Sequence, residues 1–113
     1  MRESIPTLNT TLTTPALYVL LALTDKTLHG YGIRSQVADD SEGQVILAMG
    51  TVYPLLDRLV KQRLIERIEA SNTRRNVACR YRITGWGRKE LAREVRRLER
   101  MAVQMRYKLT GRI

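Results

Sequence analysis

The 113-residue chain predicts a mainly α-helical fold: three short helices, a two-stranded hairpin and one long closing helix. Three observations carry this expectation. Apolar side chains recur at helical spacing in separate stretches before and after a strand-like segment. That segment, VACRYRIT, alternates apolar and basic residues with the two-residue period of a half-buried strand. The length suits one domain with a single modest core.

The first 13 residues, MRESIPTLNTTLT, are rich in threonine. Ile5, Leu8 and Leu12 share a helical face, but the threonines lower helix propensity. Residues 1–13 therefore read as an arm, either ordered against a partner surface or loose. In TPALYVLLALTDK, Thr14 can cap a helix and Pro15 stands at its first position. This helix is apolar nearly all round, so it belongs at the centre. LHGYGIRSQVADD gives a second helix from about His29 to Asp40, with Gly30 and Gly32 thinning its first turn and Ile33 and Val37 facing inward. SEGQ reads as a turn.

A third helix runs from about Thr51 to Gln62. Val52, Leu55, Leu56, Leu59 and Val60 fall at i, i+3, i+4, i+7 and i+8, one apolar stripe. The other face carries Thr51, Pro54, Arg58 and Lys61, with Tyr53 beside it. LIERIEA and VACRYRIT follow as strands around the polar turn SNTRRN, with Arg80 and Arg82 on the wet face. Thr84 caps the last helix, roughly Gly85 to Leu109. Three helices, a hairpin and a helix, in that order, describe a winged helix-turn-helix with a C-terminal extension.

The stretch GTVYPLLDRL opens on a glycine and carries a proline near its start. Glycine at a helix start lets another surface approach the backbone, whereas Pro54 sits at the edge of where an early proline is tolerated and removes one bond if the helix begins at Thr51. Free N–H groups and the positive dipole end suit a phosphate. The second helix of such a motif places its N-terminal part in the major groove. A bland amphipathic surface helix would show the same stripe, so the context decides.

Part of that context is charge. There are 20 Lys plus Arg against 11 Asp plus Glu, a net charge of +9. Residues 1–56 hold 3 basic and 5 acidic side chains and residues 57–113 hold 17 and 6, so the halves carry −2 and +11. That imbalance points to a polyanionic partner met by one side of the molecule, with an Arg-rich soluble helix as the bland alternative. A single cysteine, Cys79, allows no intrachain disulfide and fits a reducing compartment. The longest apolar run, Ala16 to Leu23, is too short to span a bilayer, which needs about 20 residues. A cytoplasmic soluble protein with no membrane partner is expected. His29, the only histidine, lacks partners at ligand spacing, and Cys79 reads as a packed thiol. No metal, cofactor or catalytic constellation is expected, so the chain does not read as an enzyme.

Three blocks resemble the PadR-like family of transcriptional regulators: LHGYGI at 28–33, GTVYPLLDRLVKQRLIE at 50–66 and RYRITGWGRKEL at 80–91. Their order and spacing carry the likeness across nearly the whole chain. The resemblance implies a homodimeric winged-helix DNA-binding protein, usually a repressor, released in some members by a small-molecule effector. It implies a DNA-binding unit over residues 14–84 and a dimerisation helix over 85–113. By matching position, Tyr31 resembles a backbone-phosphate contact, with a half-buried packing tyrosine as the equal alternative. Thr51, Tyr53 and Arg58 resemble recognition-helix contacts. Arg58 suits a base edge because guanidinium can bond guanine O6 and N7 together; a phosphate contact or an ion pair with Asp57 is its other reading. Lys61 meets backbone or solvent, and Arg74 and Arg75 at the hairpin tip can reach a minor groove or flanking phosphates. The chain departs from the family where Arg63 replaces a common glycine before Leu-Ile. Either the path into the hairpin differs there, or Arg63 accepts strain. The hairpin tip also lacks glycine.

In the last helix, Leu91, Val95, Leu98, Ala102, Met105 and Leu109 are spaced 4, 3, 4, 3 and 4, a heptad seam. It is too short for an autonomous coiled coil, so a dimer built on it needs help from the first helix or the arm. Arg93, Arg96, Arg97 and Arg100 line another face, read as solvated, with an acidic partner as the sharper alternative. The sequence leaves two other functions open: an interaction module binding an acidic protein, and a non-specific nucleic-acid binder.

Overall fold

The computed structural model describes residues 12–68 and 79–111. The elements are α1 (Thr14–Ala22), α2 (Gly30–Asp40), α3 (Met49–Lys61), β1 (Ile65–Ile68), β2 (Arg80–Ile83) and α4 (Gly85–Thr110). The two strands pair antiparallel, with Ile65 opposite Ile83 and Arg67 opposite Tyr81. This is the winged helix-turn-helix order with a long closing helix.

The core gathers where α1, α2, α3 and the strands meet. Val19 and Leu20 of α1, Ile33 and Val37 of α2, and Val52 and Leu56 of α3 are fully buried. The apolar stripe of α3 is therefore its inward face, as its spacing predicts. On β2 and at the residue before it, Cys79, Tyr81 and Ile83 are buried while Arg80 and Arg82 are exposed, the predicted alternation. Arg67 lies over the Tyr81 ring, 6.0 Å from its centroid. Burial raises the Tyr81 phenol above its ordinary pKa, and Arg67 opposes that rise.

Three element starts differ from the sequence reading or sharpen it. α1 is capped by Thr13 rather than Thr14: its hydroxyl accepts the Ala16 N–H at 3.3 Å, which puts Thr14 inside the first turn. α2 starts at Gly30, with His29 as its N-cap residue but no side-chain cap bond. α3 starts two residues earlier than Thr51. The Thr51 and Val52 N–H groups both donate to Ala48 O, at 2.8 and 3.1 Å, and close a turn that already includes Met49 and Gly50. Pro54 thus lies in the second turn, where it has no N–H to give to Gly50 O.

The exit of α3 settles the question at Arg63. Its φ is +64°, the left-handed conformation that glycine adopts freely. Arg63 N–H donates to Val60 O at 2.9 Å and Leu64 N–H to Leu59 O at 3.0 Å, a complete Schellman closure. The chain keeps the glycine-type exit and places an arginine in it. Glu42, with φ +55°, closes α2 in the same way: its N–H donates to Asp39 O at 3.0 Å and the Gly43 N–H to Ala38 O at 2.8 Å.

One further strand contact has no counterpart in the sequence reading. Leu28 pairs with Tyr81: Tyr81 N–H donates to Leu28 O at 2.8 Å and Leu28 N–H to Tyr81 O at 3.3 Å. This ties the entrance of α2 to β2. Among the described residues no helix is long and apolar enough to cross a membrane.

Candidate nucleic-acid interface

With one side of α3 sunk in the core, its other side is set by arithmetic. Thr51, Arg58 and Lys61 are exposed, and so is Gly50. A Cβ built on Gly50 would meet nothing within 4 Å, so no neighbour in the fold demands glycine there. What glycine does is leave bare backbone at the outer start of a helix whose N-cap, Ala48, offers no side-chain bond. Such an end presents N–H groups and a positive dipole to an anion.

Arg58 does not pair with Asp57. The Asp57 carboxylate accepts from Arg67 at 2.6 Å. Arg58 and Lys61 have no salt bridge among the described residues, which leaves two cations on the outer face. The strand arginines are more occupied. Arg82 pairs with Glu66 at 2.9 Å, and Arg80 donates to Thr27 Oγ1 at 3.3 Å.

Tyr31, in the first turn of α2, is 68% exposed rather than half-buried within the chain. Tyr53 is different. It is half-buried against the core, and its ring lies on Gly30: a Cβ there would stand 2.6 Å from Tyr53 Oη. Tyr53 therefore fixes the start of α2 against α3, and Gly30 is glycine because that ring occupies the space. Sequence reasoning missed this contact, since the two residues stand 23 positions apart and share no periodicity. Arg74 and Arg75 lie outside the described residues, as does nearly all of the arm 1–13.

Charge is distributed less simply than the two halves of the sequence suggest. α3 holds two basic residues and one acidic, whereas α4 holds eight basic and three acidic. Arg97 pairs with Glu94 at 2.6 Å and Arg93 with Glu90 at 3.5 Å, so half of the arginine face on α4 is internally matched.

The heptad positions of α4 divide. Leu91 is half-buried and packs on the chain's own core. Val95, Leu98 and Met105 are exposed, Leu109 is 85% exposed, and Ala102 is half-buried. Leu21 of α1, the helix that packs on α4, is exposed as well. Among the described residues no cluster of three or more His, Cys, Asp or Glu side chains is disposed to hold a metal.

Comparison with known proteins agrees with the fold. The family described as "Transcriptional regulator PadR-like family" matches residues 19–93. No curated protein sequence matches the chain. In fold it is similar to a transcriptional regulator from Clostridium thermocellum, with 18% identity and a TM-score of 0.69, covering 88% of this chain and 99% of that one. It is similar to a PadR-like transcriptional regulator from Bacillus cereus, with 22% identity and a TM-score of 0.67 over 85% and 91% of the two chains. It also resembles Bacillus subtilis PadR in complex with operator DNA, with 20% identity and a TM-score of 0.64, covering 75% of this chain and 48% of that one.

Proposed function

Because the chain belongs to the PadR-like family of transcriptional regulators, we propose that it is a homodimeric repressor that reads a near-palindromic operator with the outer face of α3. One observation carries the reading. α3 buries Val52, Leu55, Leu56 and Leu59 and turns Thr51, Arg58 and Lys61 outward at an uncapped helix start. The capture of Bacillus subtilis PadR on operator DNA, in a related fold, supports it.

Residues 14–84 are the DNA-binding unit and 85–113 the dimerisation helix, with 1–13 as an arm. Arg58 reads a base edge, Thr51 and the Gly50 backbone approach the duplex, and Tyr31 and Lys61 hold phosphates. Tyr53 aligns α2 with α3, and Arg74 and Arg75 contact the flanking groove. Val95, Leu98, Ala102, Met105 and Leu109 pair two protomers. The pair must then set its α3 helices about one DNA turn, roughly 34 Å, apart. A small-molecule effector would release DNA only by favouring one arrangement of protomers over another.

Gel-shift and footprinting on DNA upstream of its own gene test this. A protected near-palindrome whose affinity falls steeply with salt is expected. Competition by unrelated DNA as strong as by that site would leave a non-specific binder. A partner that survives nuclease treatment in pull-downs would favour an acidic protein instead. Loss of the protein should raise transcription of the adjoining gene, and a fall would reverse the sign of regulation.

A further inference from the structure

α4 begins on the exit of α3, joined to it through the Thr84 hydroxyl and the bare backbone of Gly87. Thr84 Oγ1 accepts the Gly87 N–H at 2.9 Å and so caps α4. The same hydroxyl donates toward the carbonyls of Arg63 at 2.7 Å and Leu64 at 3.1 Å. Thr84 N–H donates to Leu64 O at 3.0 Å. Arg63 and Leu64 are the two residues whose own N–H groups close α3. Gly87 is buried on the same spot, and a Cβ there would stand 2.1 Å from Leu64 O. Backbone thus meets backbone across the joint.

We propose that Thr84 is a positioning residue for DNA reading: with Gly87 it locks the exit of the reading helix to the first turn of the dimerisation helix. It thereby sets which half-site spacing the dimer accepts. This rests on the DNA-reading dimer proposed above. Neither residue faces the outer side of α3, so the effect passes through helix placement rather than contact. A side-chain hinge between α3 and α4 would let each protomer search for its half-site independently. A joint made of carbonyls, a hydroxyl and a bare glycine carries the angle of the dimer helices directly to the reading helices.

The test uses an operator selected by the wild-type protein from randomised duplexes. Affinity is measured on one isolated half-site, on the full site, and on full sites with the spacing changed by about one base pair in either direction. Thr84→Val keeps the shape and removes the hydroxyl. Should it fail to fold, Thr84→Asp still accepts the Gly87 N–H but has no proton for the two carbonyls, and it is read in the same way. The expected result is half-site affinity near wild type, a loss of about tenfold or more on the full site, and weakened discrimination between spacings. Thr84→Ser should restore all three. A variant that matches wild type on every spacing overturns the inference, as does one that loses equally on half-site and full site. A wild-type protein that selects no sequence overturns the DNA reading itself, and this inference with it.

Discussion

Arg63 holds a backbone conformation that costs an L-residue roughly 1–2 kcal/mol. Its φ of +64° is kept because the two hydrogen bonds at the exit of α3 depend on it. Arg63→Gly should relieve that strain while loosening the unfolded chain, a net gain of about 0.5–1 kcal/mol. Thermal unfolding at fixed protein concentration should show a melting point higher by several degrees; an unchanged or lower one would mean the arginine makes compensating contacts. Arg58 raises a different question at the same scale. Arg58→Ala should flatten the preference between operator and mutated operator, whereas Lys61→Ala should weaken both alike and lower the salt slope by about 1. Quantitative gel-shift across a salt series separates the two, and equal losses on every sequence for both variants would reject the base-edge role. At Gly30, alanine would push against Tyr53 Oη. The damage from Gly30→Ala should therefore shrink in a Tyr53→Ala background, with a coupling of about 0.5 kcal/mol or more in a double-mutant cycle. Additive costs would show that the ring does not depend on that space.

Helices were legible in the sequence where chemistry at their ends is local. Thr84 announces α4 because a threonine before a helical run is a cap, and its hydroxyl does accept the Gly87 N–H. The stripe of α3 was equally plain, since Val52, Leu55, Leu56 and Leu59 are four buried positions on one face. The start of α3 was not, because Ala48 is a poor cap and Gly50 looks like a place to stop. The pairing of Leu28 with Tyr81 was invisible, as one residue has no period. The outward residues of α3 could be named from the sequence, but not that Asp57 would turn to Arg67 and leave Arg58 without a salt bridge among the described residues. The joint at Thr84 is another long-range fact: its carbonyl partners lie about 20 positions away in the chain. Gly87→Ala should therefore hurt far more than a mid-helix Gly→Ala change usually helps. Its Cβ would meet the Leu64 carbonyl oxygen, a rigid neighbour. Circular dichroism during denaturation should show a marked loss of stability, and a neutral result would mean that α4 can shift on its seat.

Seen whole, the protomer leaves much of one helix unfinished. Val95, Leu98 and Met105 stand exposed on α4, an arrangement that costs apolar burial unless a second copy covers it. Leu98→Glu should turn a dimer into a monomer in sedimentation or light-scattering measurements and abolish full-site binding. A dimer that survives this change would place the contact elsewhere. The same bare strip has a consequence for how such a protein would behave inside a cell. If covering it is the step that makes a reader of two half-sites, then at scarce supply the active species grows with the square of the amount synthesised. Small changes in translation or turnover would then swing promoter occupancy disproportionately, a sharpened dose response that needs no added component.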